Sequence, residues 1–254
     1  MSEDVLITFN EQEHSYKDNY NNNYTSVTQL ISKYTPQFDK DYWSKFKARE
    51  RGISQEEVLA EWEQTNKISL VKGNKEHSFL ETDIGKLFTS QSKEHISKTI
   101  VNHKDLGYFF KIVNKEELYK LEIQKKYPEL YNKLYLYISD GWAIYCEKRT
   151  FSLKYLIAGT IDCLLIRGRE FVIFDWKTNK DTLLFVCGYY KKEWKVINGV
   201  NQKVKTDKFI KTYDYMLMPL NNLEHCKGIE YTLQLSLYAY LLEEMGMICR
   251  GLML

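Results

Sequence analysis

The residues best suited to chemistry lie between Gly159 and Lys180, in GTIDCLLIRGREFVIFDWKTNK, where Asp162, Asp175 and Lys177 interrupt otherwise apolar sequence. From Thr160 to Ile166 and from Glu170 to Thr178 most residues are β-branched, Leu or aromatic. Gly168-Arg169 between them predicts a hairpin with Gly at the first central position of a type II′ turn. With those two residues as the turn, Asp162 falls directly opposite Asp175. Side-chain alternation then puts Asp175 and Lys177 on the face that carries Asp162. Two opposed carboxylates on strands this apolar repel each other and ionise at a cost. A divalent cation removes that cost. Hard carboxylate oxygens suit Mg2+ or Mn2+, and a Lys two residues along can contact a scissile phosphate or hold the attacking water.

Three further features stand in order along the chain. Gly73-x-x-x-His77 falls in a helical stretch from Ser69 to Phe88, Glu147 on a strand predicted from Trp142 to Phe151, and Gln234-x-x-x-Tyr238 on a helix from Tyr231 to Met245 that Gly246 ends. Gln234 and Tyr238 share one helix face, and core-facing residues of these types are rare without polar partners.

Gly159-x-x-Asp162, Asp175-x-Lys177 and Gln234-x-x-x-Tyr238 together resemble the PD-(D/E)XK nuclease superfamily, specifically its RecB-like exonuclease branch, over roughly residues 73–246. Asp175 stands where many members carry Glu. The resemblance implies a restriction-endonuclease-like α/β core, a small mixed β-sheet flanked by helices. It implies a divalent-metal-dependent DNA exonuclease in which His77, Asp162 and Asp175 hold one or two Mg2+ or Mn2+ ions, an imidazole tilting the preference toward Mn2+. Lys177 would orient water and offset transition-state charge, and Gln234 would lie near the catalytic centre. Gly73, Thr178, Lys180 and Tyr238 would border the DNA, with core packing the alternative for Tyr238. Glu147 matches a Glu on the strand before the Gly-x-x-Asp motif; it reaches either the metal and its water shell or a salt bridge at the edge of the site. A helical His taken alone is more often a packed or surface residue; the downstream motifs are what favour His77 as a ligand.

The remaining elements are read as scaffolding. Val5, Ile7 and Phe9 alternate in a short strand pair with an Asn-rich turn at Asn19 to Asn23. Thr25 or Ser26 caps a helix that Pro36 stops, in a TSVTQLISKY stretch resembling the opening segment of the same branch. A helix holds Tyr42, Trp43 and Phe46, and another begins at the capping box Ser54-Gln55-Glu56-Glu57. Residues 89–140 read as helical, including Asp105 to Lys126, with a break at Pro128. After Lys180 an extra hairpin turns at Asn198-Gly199. A strand runs from Met247 to Leu254, and most relatives continue beyond it, which implies a shortened member or further chain.

Composition sets the frame. With 254 residues, 44% hydrophobic and 28% charged, the chain reads as a single nuclease domain, residues 1–140 mainly helical and 141–254 the catalytic sheet and helix. No apolar run approaches a membrane span and the opening is no signal peptide, so the expected location is the cytoplasm, a host's if a phage encodes the protein. Five cysteines without a CxxC pair predict free thiols; the resembled branch includes members with an iron–sulfur cluster held by one upstream and three C-terminal cysteines, and with no cysteine before Cys146 the resemblance implies no cluster here. The net charge of +2 is uninformative, but Lys180 to Lys211 carries eight Lys against three acids. That excess fits either a polyanion or a solvated loop. The expected partner is DNA, single- or double-stranded, in phage or bacterial recombination, repair or processing, with room for a recombination or replication partner protein. A structure-specific or nicking endonuclease is the alternative enzyme, and a DNA-binding or assembly subunit with an inert nuclease fold the alternative of another class.

Overall fold

A computed structural model describes residues 5–10, 13, 15–86, 88–90, 108–112, 122–179 and 182–254. The chain forms two compact units, one of Met1–Val27, Phe38–Thr178 and Leu235–Leu254, the other of Thr28–Gln37 and Asn179–Gln234. Among the described residues no helix is long and apolar enough to cross a membrane.

The first unit is mixed α/β. Its strands are β1 (Ile7–Asn10), β2 (Ser15–Asp18), β3 (Asn23–Ser26), β4 (Phe88–Ser90), β5 (Tyr108–Ile112), β6 (Ala143–Ser152), β7 (Ile157–Arg167), β8 (Glu170–Phe174) and β11 (Ile248–Met253). They make one mixed sheet of order β1-β2-β3-β7-β6-β5-β4, with β8 also on β7 and β11 on β8. The β3–β7 and β8–β11 pairs are parallel and the rest antiparallel. The first turn of the chain thus belongs to three strands where alternation predicted two. The Asn-rich turn joins β2 to β3 around the buried Asp18, whose carboxylate accepts from Tyr20 N, Asn22 N, Asn22 Nδ2 and Tyr24 Oη at 2.8–2.9 Å.

The hairpin at Gly168-Arg169 forms in the expected register, from Arg167↔Glu170 to Cys163↔Phe174, with Gly168 at φ 61°. One edge of β7 is paired with β6 along almost its full length. The opposite edge is divided, its beginning on β3 at Ile157 and Ala158 and its end on β8 from Cys163 onward. Between them lies the stretch from Gly159 to Asp162, and beyond Phe174 the chain leaves the ladder, where Asp175 N donates to Met253 O at 3.0 Å. Expected strand to Thr178, residues 175–179 are instead irregular.

The helices are α1 (Val27–Ser32), α2 (Lys40–Arg51), α3 (Gln55–Lys86), α4 (Glu122–Lys126), α5 (Pro128–Ser139) and α6 (Lys227–Glu244). Ser54 and Glu57 exchange capping bonds of 2.8 and 3.1 Å at the start of α3, as the Ser-x-x-Glu spacing predicts. What reads as two helices separated near Ser69 is one helix of 32 residues, about 48 Å long at 1.5 Å per residue. Gly73 lies within it without breaking it, its α-carbon turned toward Thr178 Oγ1. The helical reading of Asp105 to Lys126 is corrected at Tyr108–Ile112, a strand paired with β4 and β6; its sequence YFFKI is aromatic and β-branched, a local strand preference within a Lys/Glu-rich stretch. Pro128 is the first residue of α5, where its missing N–H costs nothing. Leu80 and Ile84 of α3, Ile123 of α4 and Leu134 of α5 join Ile144, Cys146, Cys163, Leu165, Val172, Phe174 and Trp176 in one core cluster. Asp83, buried beside them, accepts from Ile123 N at 2.7 Å and so starts α4.

In the second unit, β9 (Gly188–Ile197) and β10 (Val200–Lys211) form a separate two-stranded sheet turned by Asn198 and Gly199 at φ 52° and 76°. Two left-handed residues make the type I′ turn that Asn-Gly favours.

A Cβ on Gly159 would meet Tyr238 Cε1 at 2.4 Å, so no other residue fits against that buried ring. Gly159→Ala is therefore expected to destabilise the protein by about 1–3 kcal/mol, and by much less in a Tyr238→Ala background. Urea unfolding of the four forms measures the coupling; equal costs in both backgrounds would show that the ring is not what Gly159 accommodates.

Candidate functional site

Three neighbouring chain segments bring acids into one row. Cys146↔Cys163 and Lys148↔Ile161 bracket Glu147 and Asp162 on β6 and β7, while the β7–β8 ladder ends one step short of Asp162 and Asp175. Glu147 has φ 51°, a left-handed conformation in mid-strand and costly for a residue with a side chain. It coincides with the missing rung between Cys146 and Lys148.

α3 supplies the fourth group. His77 Nε2–H donates to Trp176 O at 3.0 Å, and Nδ1 lies 3.7 Å from Asp162 Oδ2. Burial, and then the Lys177 charge, lower the imidazole pKa, so the ring is neutral near pH 7 with its Nδ1 lone pair toward the acids. A backbone carbonyl that fixes the tautomer of a histidine is the usual support for a metal-ligating ring. One ligand atom each from His77, Glu147 and Asp162 lie within 4.8 Å of one another. Ligands about 2.0–2.1 Å from a common ion stand at most about 4.2 Å apart, so a small rotation of these side chains completes the set.

Electrostatics mark the same place. Burial pushes the Glu147 carboxyl up to about 7, with the negative charges of Glu81 and Asp175 adding to it. Asp162 is raised by burial and then by Asp175, against the pull of Lys177 and of Trp176 N–H, which donates to Asp162 Oδ2 at 2.7 Å. Asp175 is 1% exposed and forms an ion pair of 2.5 Å with Lys177 Nζ, itself 18% exposed. The pair places both charges on one side of the segment while Trp176 between them joins the core.

The resemblance implies a metal set of His77, Asp162 and Asp175; among the described residues the ligand atoms that converge are those of His77, Glu147 and Asp162, with Asp175 engaged by Lys177. His77, Glu81, Glu147, Gly73 and Thr178 line an open cleft of about 570 Å3. Asp175 and Lys177 line a second cleft of about 270 Å3, and Thr178 borders both. Gln234 and Tyr238 lie on α6 but in different units, Tyr238 packed on Gly159 and Gln234 in the unit that ends with it. Lys180 lies outside the described residues. Glu81 was missed, although its spacing of one helical turn from His77 puts it on the same face as Gly73 and His77. No family model, no curated protein and no solved structure matches the chain.

Glu147 titrates near 7 in the folded protein against an ordinary value of 4.5, so its contribution to stability is full below the ordinary value and lost as pH rises through about 7. The metal-free protein should therefore melt at a lower temperature at pH 8 than at pH 6, and Glu147→Gln should flatten that slope. Mn2+ should raise the melting temperature more at pH 8 than at pH 6. Thermal melts in chelator and in Mn2+ measure this; a slope between pH 6 and 8 unchanged by Glu147→Gln would show that Glu147 does not carry it.

Proposed function

We propose that the protein is a divalent-metal-dependent DNA exonuclease with a restriction-endonuclease-like core of the PD-(D/E)XK kind, acting in phage or bacterial DNA recombination, repair or processing within the cytoplasm. The observation that carries the reading is the convergence of His77, Glu147 and Asp162 ligand atoms within 4.8 Å, beside the Asp175–Lys177 ion pair. Acids held close enough to raise one another's pKa, facing a neutral imidazole, form a donor set that a divalent cation satisfies better than protons do.

Glu147, Asp162 and His77 would hold Mg2+ or Mn2+, with Asp175 alongside. Bound there, the metal supplies positive charge to the phosphodiester oxygens and acidifies water at neutral pH. Lys177, held by Asp175, is poised to orient the attacking water and to offset charge building on the phosphate. Hydrolysis forms one bond from the water oxygen to phosphorus and breaks the bond to the departing nucleotide oxygen, which leaves with a proton. Action from an end, rather than within a strand, is what comparison of linear with circular single-stranded DNA tests.

Asp162→Asn should abolish cleavage of end-labelled DNA in Mg2+ or Mn2+ and leave binding in Ca2+ near that of the parent, because it removes a ligand and no phosphate contact. His77→Ala should shift the Mn2+ requirement upward. Turnover retained by Asp162→Asn would sink the site assignment.

Lys177 has a structural task as well, because its loss leaves the carboxylate of Asp175 buried without its ion-pair partner, a change that costs about 3–5 kcal/mol in comparable pairs. Lys177→Ala should therefore lower both the melting temperature and the single-turnover rate, the latter by about two orders of magnitude or more. Asp175→Asn/Lys177→Met should recover much of the stability and none of the rate. Cleavage that returns along with stability would mean that neither the Asp175 carboxylate nor the Lys177 ammonium takes part in the chemistry.

A further inference from the structure

The β9–β10 hairpin carries a surface that the acid cluster does not account for. Its register sets Lys203 opposite Trp194, Lys205 opposite Lys192 and Phe209 opposite Tyr190. By alternation one face of the hairpin therefore holds Tyr190, Lys192, Trp194, Lys203 and Lys205 together, three cations and two rings with no acid among them. The other face holds Lys191, Glu193 and Lys195, with Glu193 ion-paired to Lys191 at 3.1 Å. Lys192, Lys203 and Lys205 thus stand on one side of a two-stranded ribbon with no acid between them, whereas Lys191 and Lys195 flank Glu193 on the other. A solvated loop has no reason to sort its charges so.

The rings on that face are presented rather than packed away. Trp194 is 67% exposed, and every residue from Lys191 to Ile197 is exposed. Lys203 Nζ lies 5.2 Å from the Trp194 ring centre and Lys205 Nζ 4.4 Å from that of Tyr190, while Phe209 meets Tyr190 edge-on at 5.3 Å. The lower ring is anchored and the upper one is open. A flat indole bordered by ammonium groups matches a nucleobase attached to a phosphate, since every base has a face to stack and every nucleotide a negative charge beside it. Lys203 and Lys205 on one face stand about 7 Å apart, two residues of strand rise, a spacing suited to successive phosphates of an extended chain.

We propose that this face of the hairpin binds single-stranded nucleic acid, with a base stacked on Trp194 and phosphates met by Lys192, Lys203 and Lys205. A duplex keeps its bases stacked on each other and offers the indole nothing. The proposal rests on the polynucleotide-substrate part of the nuclease reading and is independent of its metal chemistry.

The test is fluorescence anisotropy of a labelled oligothymidylate with the full chain in Ca2+, where no cleavage is expected. Lys192→Glu/Lys203→Glu/Lys205→Glu should weaken binding at least tenfold and flatten its salt dependence, by about 0.7 in the logarithmic slope for each phosphate no longer neutralised. Trp194→Ala should weaken it about tenfold, at the scale of one base stack, and Trp194→Phe should retain most of the affinity. Lys191→Glu/Lys195→Glu, on the opposite face, should have a distinctly smaller effect. All of these positions are exposed, and circular dichroism verifies that each variant folds. Equal losses from the two faces, parent-like binding by the first variant, or binding of anionic phospholipid vesicles in place of the oligonucleotide would each overturn the proposal. Asp162→Asn serves as the separate arm. If it still cleaves DNA while the hairpin variants lose binding, the metal-site assignment fails and this inference stands; if it is inactive while the hairpin variants bind like the parent, the nuclease reading stands and this inference fails.

Discussion

The structure depends on how it treats buried carboxylates. Asp18 accepts four hydrogen bonds and lies below its ordinary pKa despite the burial that opposes this, while Asp83 accepts the N–H that begins α4. Those two acids are compensated and hold the fold together. Glu147 and Asp162 are raised instead, by burial and by the acids beside them. Their mutual repulsion is a cost borne by the fold, and such costs gather at places that bind something.

The geometry that maintains the repulsion comes from the divided edge of β7. Because β3 occupies one end of that edge and β8 the other, the stretch from Gly159 to Asp162 lies between two ladders, with space for the Tyr238 ring at Gly159 and for Asp162 to turn to Trp176 N. The departure of β8 after Phe174 separates Asp162 from Asp175, and Lys177 folds back on Asp175. α3 then closes the cluster from outside the sheet. It is long enough to anchor in the core through Leu80 and Ile84 and still present His77 and Glu81 to the cleft.

The second unit is organised by a different constraint. A lone two-stranded ribbon gains little from its own hydrogen bonds and has two faces to satisfy. The type I′ turn at Asn198-Gly199 and the edge-on Tyr190–Phe209 pair set its register. That register, more than the composition, sets Lys192, Lys203 and Lys205 on one face without an acid and the Lys191–Glu193 ion pair, with Lys195, on the other.

Local rules were sufficient for the hairpin at Gly168-Arg169, the capping box at Ser54, the break at Pro128 and the Asn198-Gly199 turn, because each depends on residues a few positions apart whose backbone preferences agree. The helical face shared by Gly73 and His77 was legible for the same reason, and Glu81 could have been read from it. Tertiary contacts decided the rest. The strand at Tyr108–Ile112 takes its place between β4 and β6 through cross-strand pairing that local spacing does not specify, and α3 runs unbroken through Gly73. Whether Glu147 joins His77 and Asp162, and whether Asp175 faces a metal or Lys177, depends on distances across three chain segments and a helix. Spacing along the chain orders such residues but carries no measure of the few ångströms that separate a ligand from an ion-pair partner.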